Sequence, residues 1–236
     1  MINLGSTDFY FPVHSLPRDK FQRFSSRIFD EWERTVAESL RLPDYSLTLE
    51  AEEGSVKLLG TVAAVLGAVY IGIGQYGSFI NGVRTIRQQV SDVGDFLAEH
   101  AQRRLASPSG QIKPLVCKHG GDLARLQRLF SKVERRELTV DQAMQEATAL
   151  LGDDTAAAPE FMNTLHESLL KTPLLPEQLI LPTIDVDEDP LLQSSTEERV
   201  PPPSRPRPTG VPQLQLRVEI WRESKSGKRN VRVTKL

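Results

Sequence analysis

The C-terminal segment 213–236 carries the residue types best suited to contact an acidic partner. It holds seven lysines and arginines against two glutamates, a net charge of +5, whereas the whole chain stands at −2. Cationic side chains contact phosphates or carboxylates, and an indole ring can stack on a base. The segment therefore predicts a partner-binding hairpin that recognises a protein or, as the less favoured partner, nucleic acid, through Arg217, Trp221, Lys228, Arg229 and Arg232. A basic edge that discourages aggregation between strands is the structural alternative.

Patterns for catalysis or metal binding are sparse. Cys117 and His119 offer two metal ligands, and no second pair follows at a usual spacing. On an extended loop we expect these two side chains to point in opposite directions, which disfavours a nucleophile and base pair. Gly72, Gly74 and Gly77 match GxGxxG, but no predicted strand precedes them and no suitably placed acidic residue follows. The sequence therefore predicts a non-enzymatic protein with no catalytic residues, no metal site and no cofactor.

The segment 58–83 stands out because its 26 residues include no charge. As a helix it would span roughly 39 Å, at about 1.5 Å per residue, against about 30 Å of bilayer hydrocarbon. This length predicts one transmembrane helix over the unit 55–83 and a membrane location. A Gly/Ala-rich helix buried in a soluble core and a re-entrant loop are the two alternatives.

Small residues recur along this predicted helix. Gly60, Gly67 and Gly74 are seven residues apart, and Gly60 and Ala64 form a small-xxx-small pair. Small residues let membrane helices approach closely. The four residues predict a self-association face and a homo-oligomer in the lipid bilayer.

Charges on either side of the apolar segment give its orientation. Two cations, Arg41 and Lys57, lie in the twenty residues before it, and three, Arg84, Arg87 and Arg103, lie in the twenty after it. Because cytoplasmic flanks are enriched in lysine and arginine, we expect a cytoplasmic C-terminal body.

The surrounding units position these features. Unit 1–54 reads as an irregular arm, an amphipathic helix that ends before Pro43 and a short strand at 45–50. Unit 84–152 predicts a helical body with a helix over 85–105, followed by a hairpin of two helices. Thr139 and Gln142 have the spacing of a capping box at the start of the second of these helices.

The rest of the chain changes composition. Between residues 155 and 212 lie 11 of the 16 prolines, which predicts a flexible Pro-rich linker over 153–212 with one short helix at 160–170. Unit 213–236 alternates apolar and polar residues on either side of a turn, as in a β-hairpin. Because two strands alone are marginal in water, we expect the hairpin to join a sheet supplied by strand 45–50, another subunit or a partner.

These observations predict a mostly α fold with a small β element. A single cysteine excludes a disulfide scaffold, and 39 % hydrophobic residues exclude a fully disordered chain. The predicted function is a non-enzymatic, single-pass membrane scaffold or effector that acts through an unidentified protein partner and through self-association. The alternative is a soluble helical binding module whose basic hairpin contacts nucleic acid or an acidic partner.

Overall fold

The computed structural model describes residues 1–11, 16–54, 56–105, 114–175 and 216–236. Of these, 24 % lie in strands and 55 % in helices, and the strands form one six-stranded antiparallel sheet. The prediction of a mostly α fold with a small β element is therefore wrong, because the sheet is the centre of an α/β fold. The elements in chain order are β1 (Ile2–Phe11), α1 (Arg18–Ser39), β2 (Ser46–Glu52), β3 (Val56–Ala64), α2 (Leu66–Gly74), α3 (Phe79–Leu105), β4 (Leu115–His119), α4 (Gly121–Glu134), α5 (Val140–Leu151), α6 (Asp154–Ala157), α7 (Pro159–Leu170), β5 (Leu216–Arg222) and β6 (Asn230–Lys235).

The strands lie in the order β4-β1-β3-β2-β5-β6. Alternate residues of β2, β3 and β5 are buried, as expected when only one face of a sheet packs on helices. On that face Trp32 of α1 and Leu97 of α3 fill the space above Gly60, where a Cβ would overlap the leucine side chain. Burial of this face joins the sheet to the two longest helices.

The remaining helices form a second group against α3. Phe79 of α3 contacts Phe130 of α4 and Phe161 of α7, with ring centroids 6.0 and 5.1 Å apart. Helix α5 begins with the predicted capping box, since the Thr139 side chain accepts a hydrogen bond from the Gln142 backbone. The antiparallel α4–α5 pair and the helix predicted at 160–170 are confirmed.

The uncharged segment is not one helix, and the predicted transmembrane helix is wrong. It consists of most of the central strand β3, the nine-residue helix α2, the connection 75–78 and the first turn of α3. At about 1.5 Å per residue α2 spans roughly 14 Å, less than half of a bilayer core. Among the helices in the described part of the chain, none is both long and apolar enough to cross a membrane. The predictions of a membrane location, a bilayer partner and a cytoplasmic C-terminal body lose their basis with it.

About half of the residues of the segment are buried in the protein's own interior, which accounts for much of its apolar character. Leu58, Val62 and Val69 are at most 2 % exposed. A Cβ on Gly82 would lie 2.8 Å from the backbone of Ile73, so α2 and α3 approach each other closely at this glycine. Lipid and a protein core both select apolar and small residues, and composition alone does not separate them.

The N-terminal arm is also corrected. Residues 2–11 form β1, which pairs with β3 on one side and β4 on the other. Its register shifts between Asn3 and Gly5, so apolar and polar residues do not alternate regularly there.

The C-terminal hairpin, by contrast, is confirmed, and β5 pairs with β2, the strand predicted at 45–50. The linker prediction beyond residue 175 lies outside the described residues.

Candidate anion-binding cleft

The predicted hairpin residues lie in β5, β6 and their connection, where acidic neighbours pair most of the cations. Arg217 contacts Glu50 and lies 3.1 Å from Glu219, and these carboxylates raise its pKa above the ordinary value. Arg229 pairs with Asp30 of α1. The hairpin is therefore joined electrostatically to its own sheet and to α1.

Arg232 of β6 is held in a similar way. It lies 3.8 Å from Glu219 and over the ring of Trp221, with its guanidinium carbon 5.5 Å from the ring centroid. Lys228 has no ion pair with a described residue. Of the five predicted hairpin residues, it is the cation that the fold leaves available.

The four small residues predicted to form a self-association face do not share a helix. Gly60 and Ala64 are buried in β3, whereas Gly67 and Gly74 belong to α2, with Gly74 exposed. Self-association of the chain stays a prediction, without a common helical surface to carry it.

Cys117 and His119 are exposed on β4, at an edge of the sheet. Side chains two positions apart on a strand share a face, so the expectation that they point in opposite directions is wrong. Among the described residues, no group of three or more His, Cys, Asp or Glu side chains is arranged to hold a metal ion.

The structure places a different set of polar residues around a cavity of about 280 Å³ beside β4. Three parts of the fold form it: the middle of β1, the first half of α3, and the segment that joins β4 to α4. We call this cavity the basic cleft. The described residues that line it are Leu4, Ser6, Thr7, Arg84, Arg87, Gln88, Val90, Ser91, Lys118, His119 and Gly120.

Helix α3 places two arginines at the cleft. Arg84 and Arg87 are three positions apart and therefore lie on one side of the helix. Nη1 of Arg87 donates a hydrogen bond to Oε1 of Gln127, 2.6 Å away on α4. Among the described residues, no carboxylate lies within 4.0 Å of the guanidinium group of either arginine. Both charges are thus free to contact a ligand.

Strand β4 supplies the other two basic side chains. Nζ of Lys118 donates to Oγ of Ser91, 3.1 Å away, and lies 2.5 Å from a carboxylate oxygen of Asp95. His119 pairs in register with Ser6 of β1 at the end of β4. Lys118 is therefore partly neutralised, and the excess charge of the cleft rests on the two α3 arginines.

Two glycines make the turn that closes the cleft. Gly120 and Gly121 have φ angles of −77° and +56°, and the second value favours glycine. A Cβ on Gly121 would overlap the carbonyl oxygen of Asn3, so the turn packs directly on the backbone of β1. A carboxylate oxygen of Asp122 accepts the backbone N–H of Asn3 at 2.9 Å. The start of α4 is fixed in this way against the sheet.

The arrangement suits an anion for three reasons. Arginine presents planar donors that match phosphate oxygens in pairs. Helix α4 begins at Gly121, its N-cap residue Gly120 supplies no side-chain cap, and the positive end of the helix dipole adds to the field of the cations. None of the described lining residues is acidic. The cleft therefore offers the charge and the hydrogen-bond donors that a phosphate group requires.

Local sequence patterns did not predict this cleft. Arg84 and Arg87 stood out only as flanking charges of the apolar segment. The adjacent glycines after Lys118 and His119, followed by an amphipathic helix, were the available local signal. In comparisons with family models, curated proteins and solved structures, the chain matched none.

Proposed function

We propose that this protein is a non-enzymatic binding module that recognises a phosphate-bearing, acidic partner through the basic cleft. One observation carries the proposal: Arg84 and Arg87 border a cavity and have no ion pair within the described residues. An arginine held beside a cavity without a counter-charge gains a strong, charge-assisted hydrogen bond when an anion enters.

The basic hairpin is the weaker candidate for the same function. Its arginines already contact Asp30, Glu33 and Glu50, and a ligand would have to replace those pairs. Surface ion pairs contribute little to stability, but they lower the net charge that a ligand meets. The cleft offers its charge without that competition.

Chemical-shift mapping by NMR with inorganic phosphate and pyrophosphate tests the proposal. We expect saturable shifts at the amides of Ser91, His119 and Gly120, with a dissociation constant on the order of 1 mM for phosphate, about −4 kcal/mol. Arg87→Gln removes one charged donor and should weaken binding about tenfold. Circular dichroism of this variant controls for the loss of the bond to Gln127.

Lys228→Gln is the matched control, because it removes one cation from the hairpin and leaves the cleft intact. It should leave the phosphate affinity unchanged. Shifts of equal size around the hairpin, or no saturable shift at the cleft, would contradict the proposal.

A further inference from the structure

The basic cleft continues into a longer groove along α4. A second cavity, of about 340 Å³, shares Arg87, Lys118 and Gly120 with the cleft and is also lined by Arg128. A third, of about 500 Å³, shares Arg128 with the second. The three cavities therefore adjoin one another along α4, with Arg128 at the boundary between the second and the third, and we call them together the basic groove.

Cations repeat along this path. Arg125, Arg128 and Lys132 occupy positions i, i+3 and i+7 of α4 and line the third cavity together. The first and last of them are about 10 Å apart along the helix axis, at about 1.5 Å per residue. A single phosphate at the cleft does not reach them, whereas a chain of phosphates does.

Acidic side chains compensate only part of this charge. Asp95 lies beside Lys118, Asp122 lies 3.6 Å from Arg125, and Glu146 lies 3.2 Å from Lys132. Arg84, Arg87 and Arg128 have no carboxylate partner among the described residues. Six cations against three carboxylates give the groove an excess of three positive charges on a chain whose net charge is −2.

We infer that the basic groove binds the phosphodiester backbone of a polynucleotide strand, with successive phosphates at the cleft, at Arg128 and towards Lys132. This inference rests on the proposed function, because the cleft supplies the first phosphate contact. A phosphopeptide would place one phosphate in the cleft and leave the α4 cations unused. A polynucleotide supplies a regular series of charges and uses all three cavities.

The residues that line the groove also indicate whether it would recognise bases or only the phosphate backbone. Among the described residues the lining contains no Phe, Tyr or Trp on which a base could stack, His119 supplies its one ring, and its apolar members are aliphatic: Leu4, Val90, Ala124, Leu129, Ala149 and Leu150. Backbone contacts carry no sequence information. Binding is therefore insensitive to base sequence and strongly dependent on salt.

Fluorescence anisotropy with a labelled oligothymidylate tests the inference on the full chain. Neutralising three phosphates of a single strand predicts a slope of log K against log salt of about −2. The oligonucleotide should bind at least about tenfold more tightly than inorganic phosphate. Arg128→Gln should reduce this slope in magnitude by about 0.7 to 1, while phosphate binding at the cleft stays unchanged.

Two controls separate the outcomes. Lys228→Gln should leave oligonucleotide binding unchanged, and an oligoglutamate of equal charge should bind more weakly than the oligonucleotide. If inorganic phosphate binds the cleft but the oligonucleotide binds no more tightly, or Arg128→Gln has no effect, the groove inference fails and the proposed function stands. If oligoglutamate bound as tightly as the oligonucleotide, the ligand of the groove would be an acidic protein rather than a polynucleotide, and the inference would be wrong. If neither phosphate nor oligonucleotide binds, both proposals fail.

Discussion

The basic groove and the C-terminal hairpin contain similar numbers of cations but differ in what surrounds most of their arginines. Segment 213–236 holds seven lysines and arginines, and the groove is lined by six. Arg217, Arg222 and Arg229 of the hairpin each contact an acid of β2 or α1. Arg84, Arg87 and Arg128 of the groove contact none within the described residues. Tertiary neighbours, rather than local charge density, therefore decide which basic residues are available to a partner.

The largest expected effect concerns the turn that forms the groove. Gly121→Ala should destabilise the fold by about 3 kcal/mol, because the new Cβ overlaps the Asn3 carbonyl and the residue keeps a positive φ. Gly152 is a matched control, since its φ is also +56° and a Cβ added there would meet no neighbouring atom within 4 Å. Gly152→Ala should cost less, about 1 to 2 kcal/mol, because only its backbone conformation (φ +56°, ψ −135°) disfavours a side chain. Urea denaturation measures both, and equal losses would show that the turn does not pack on β1 as described.

An intermediate effect is expected in the hairpin. Arg217→Gln removes the cation that lies among Glu50, Glu52 and Glu219, so three carboxylates on neighbouring strands are left to repel one another. We expect a loss of about 1 kcal/mol of unfolding free energy, which decreases at high salt. Arg84→Gln should leave stability unchanged. If both variants lost a similar amount of unfolding free energy, the proposed difference between the paired Arg217 and the unpaired Arg84 would be wrong.

The smallest effect concerns an ion pair outside both regions. Burial opposes ionisation of Glu31, but Arg104 and His100 outweigh it and hold the pKa of this carboxyl below its ordinary value of 4.5. A lowered pKa in the folded state contributes stability that is present above pH 4.5 and is lost as the pH falls through the lower folded value. Thermal unfolding of Glu31→Gln should therefore depend less on pH in that acidic window than unfolding of the native chain. If the variant and the native chain showed the same dependence of unfolding on pH, the pairing of Glu31 with Arg104 and His100 would be contradicted.

Local patterns predicted the elements whose neighbours are close in sequence. Helices α1 and α3 follow from their apolar periodicity, and the capping box of α5 follows from Thr139 and Gln142. The C-terminal hairpin follows from its own alternation of apolar and polar residues, whereas strand 45–50 was one of three neighbours expected to complete its sheet. The helices, the cap and the hairpin depend on spacing that a single segment displays.

Features that depend on distant segments were missed or misread. The bulge in β1 interrupts the alternation that identifies a strand. The sequence of strand β3 was misread as part of a membrane helix because it is apolar and contains the small residue Gly60. That glycine is needed because Trp32 and Leu97, from two different helices, pack directly over it. The groove forms where α3 and α4 lie next to each other, although β4 separates these helices in the sequence. No local pattern indicates that contact.

Oligonucleotide binding by two charge-matched double variants tests the central claim most directly. One variant combines Arg84→Gln with Arg128→Gln in the groove, and the other combines Lys228→Gln with Arg232→Gln in the hairpin. Each removes two positive charges, so net charge does not distinguish them. We expect the groove variant to lose binding about tenfold or more, whereas the hairpin variant binds like the native chain. Equal losses in the two variants, or a greater loss in the hairpin variant, would contradict the claim.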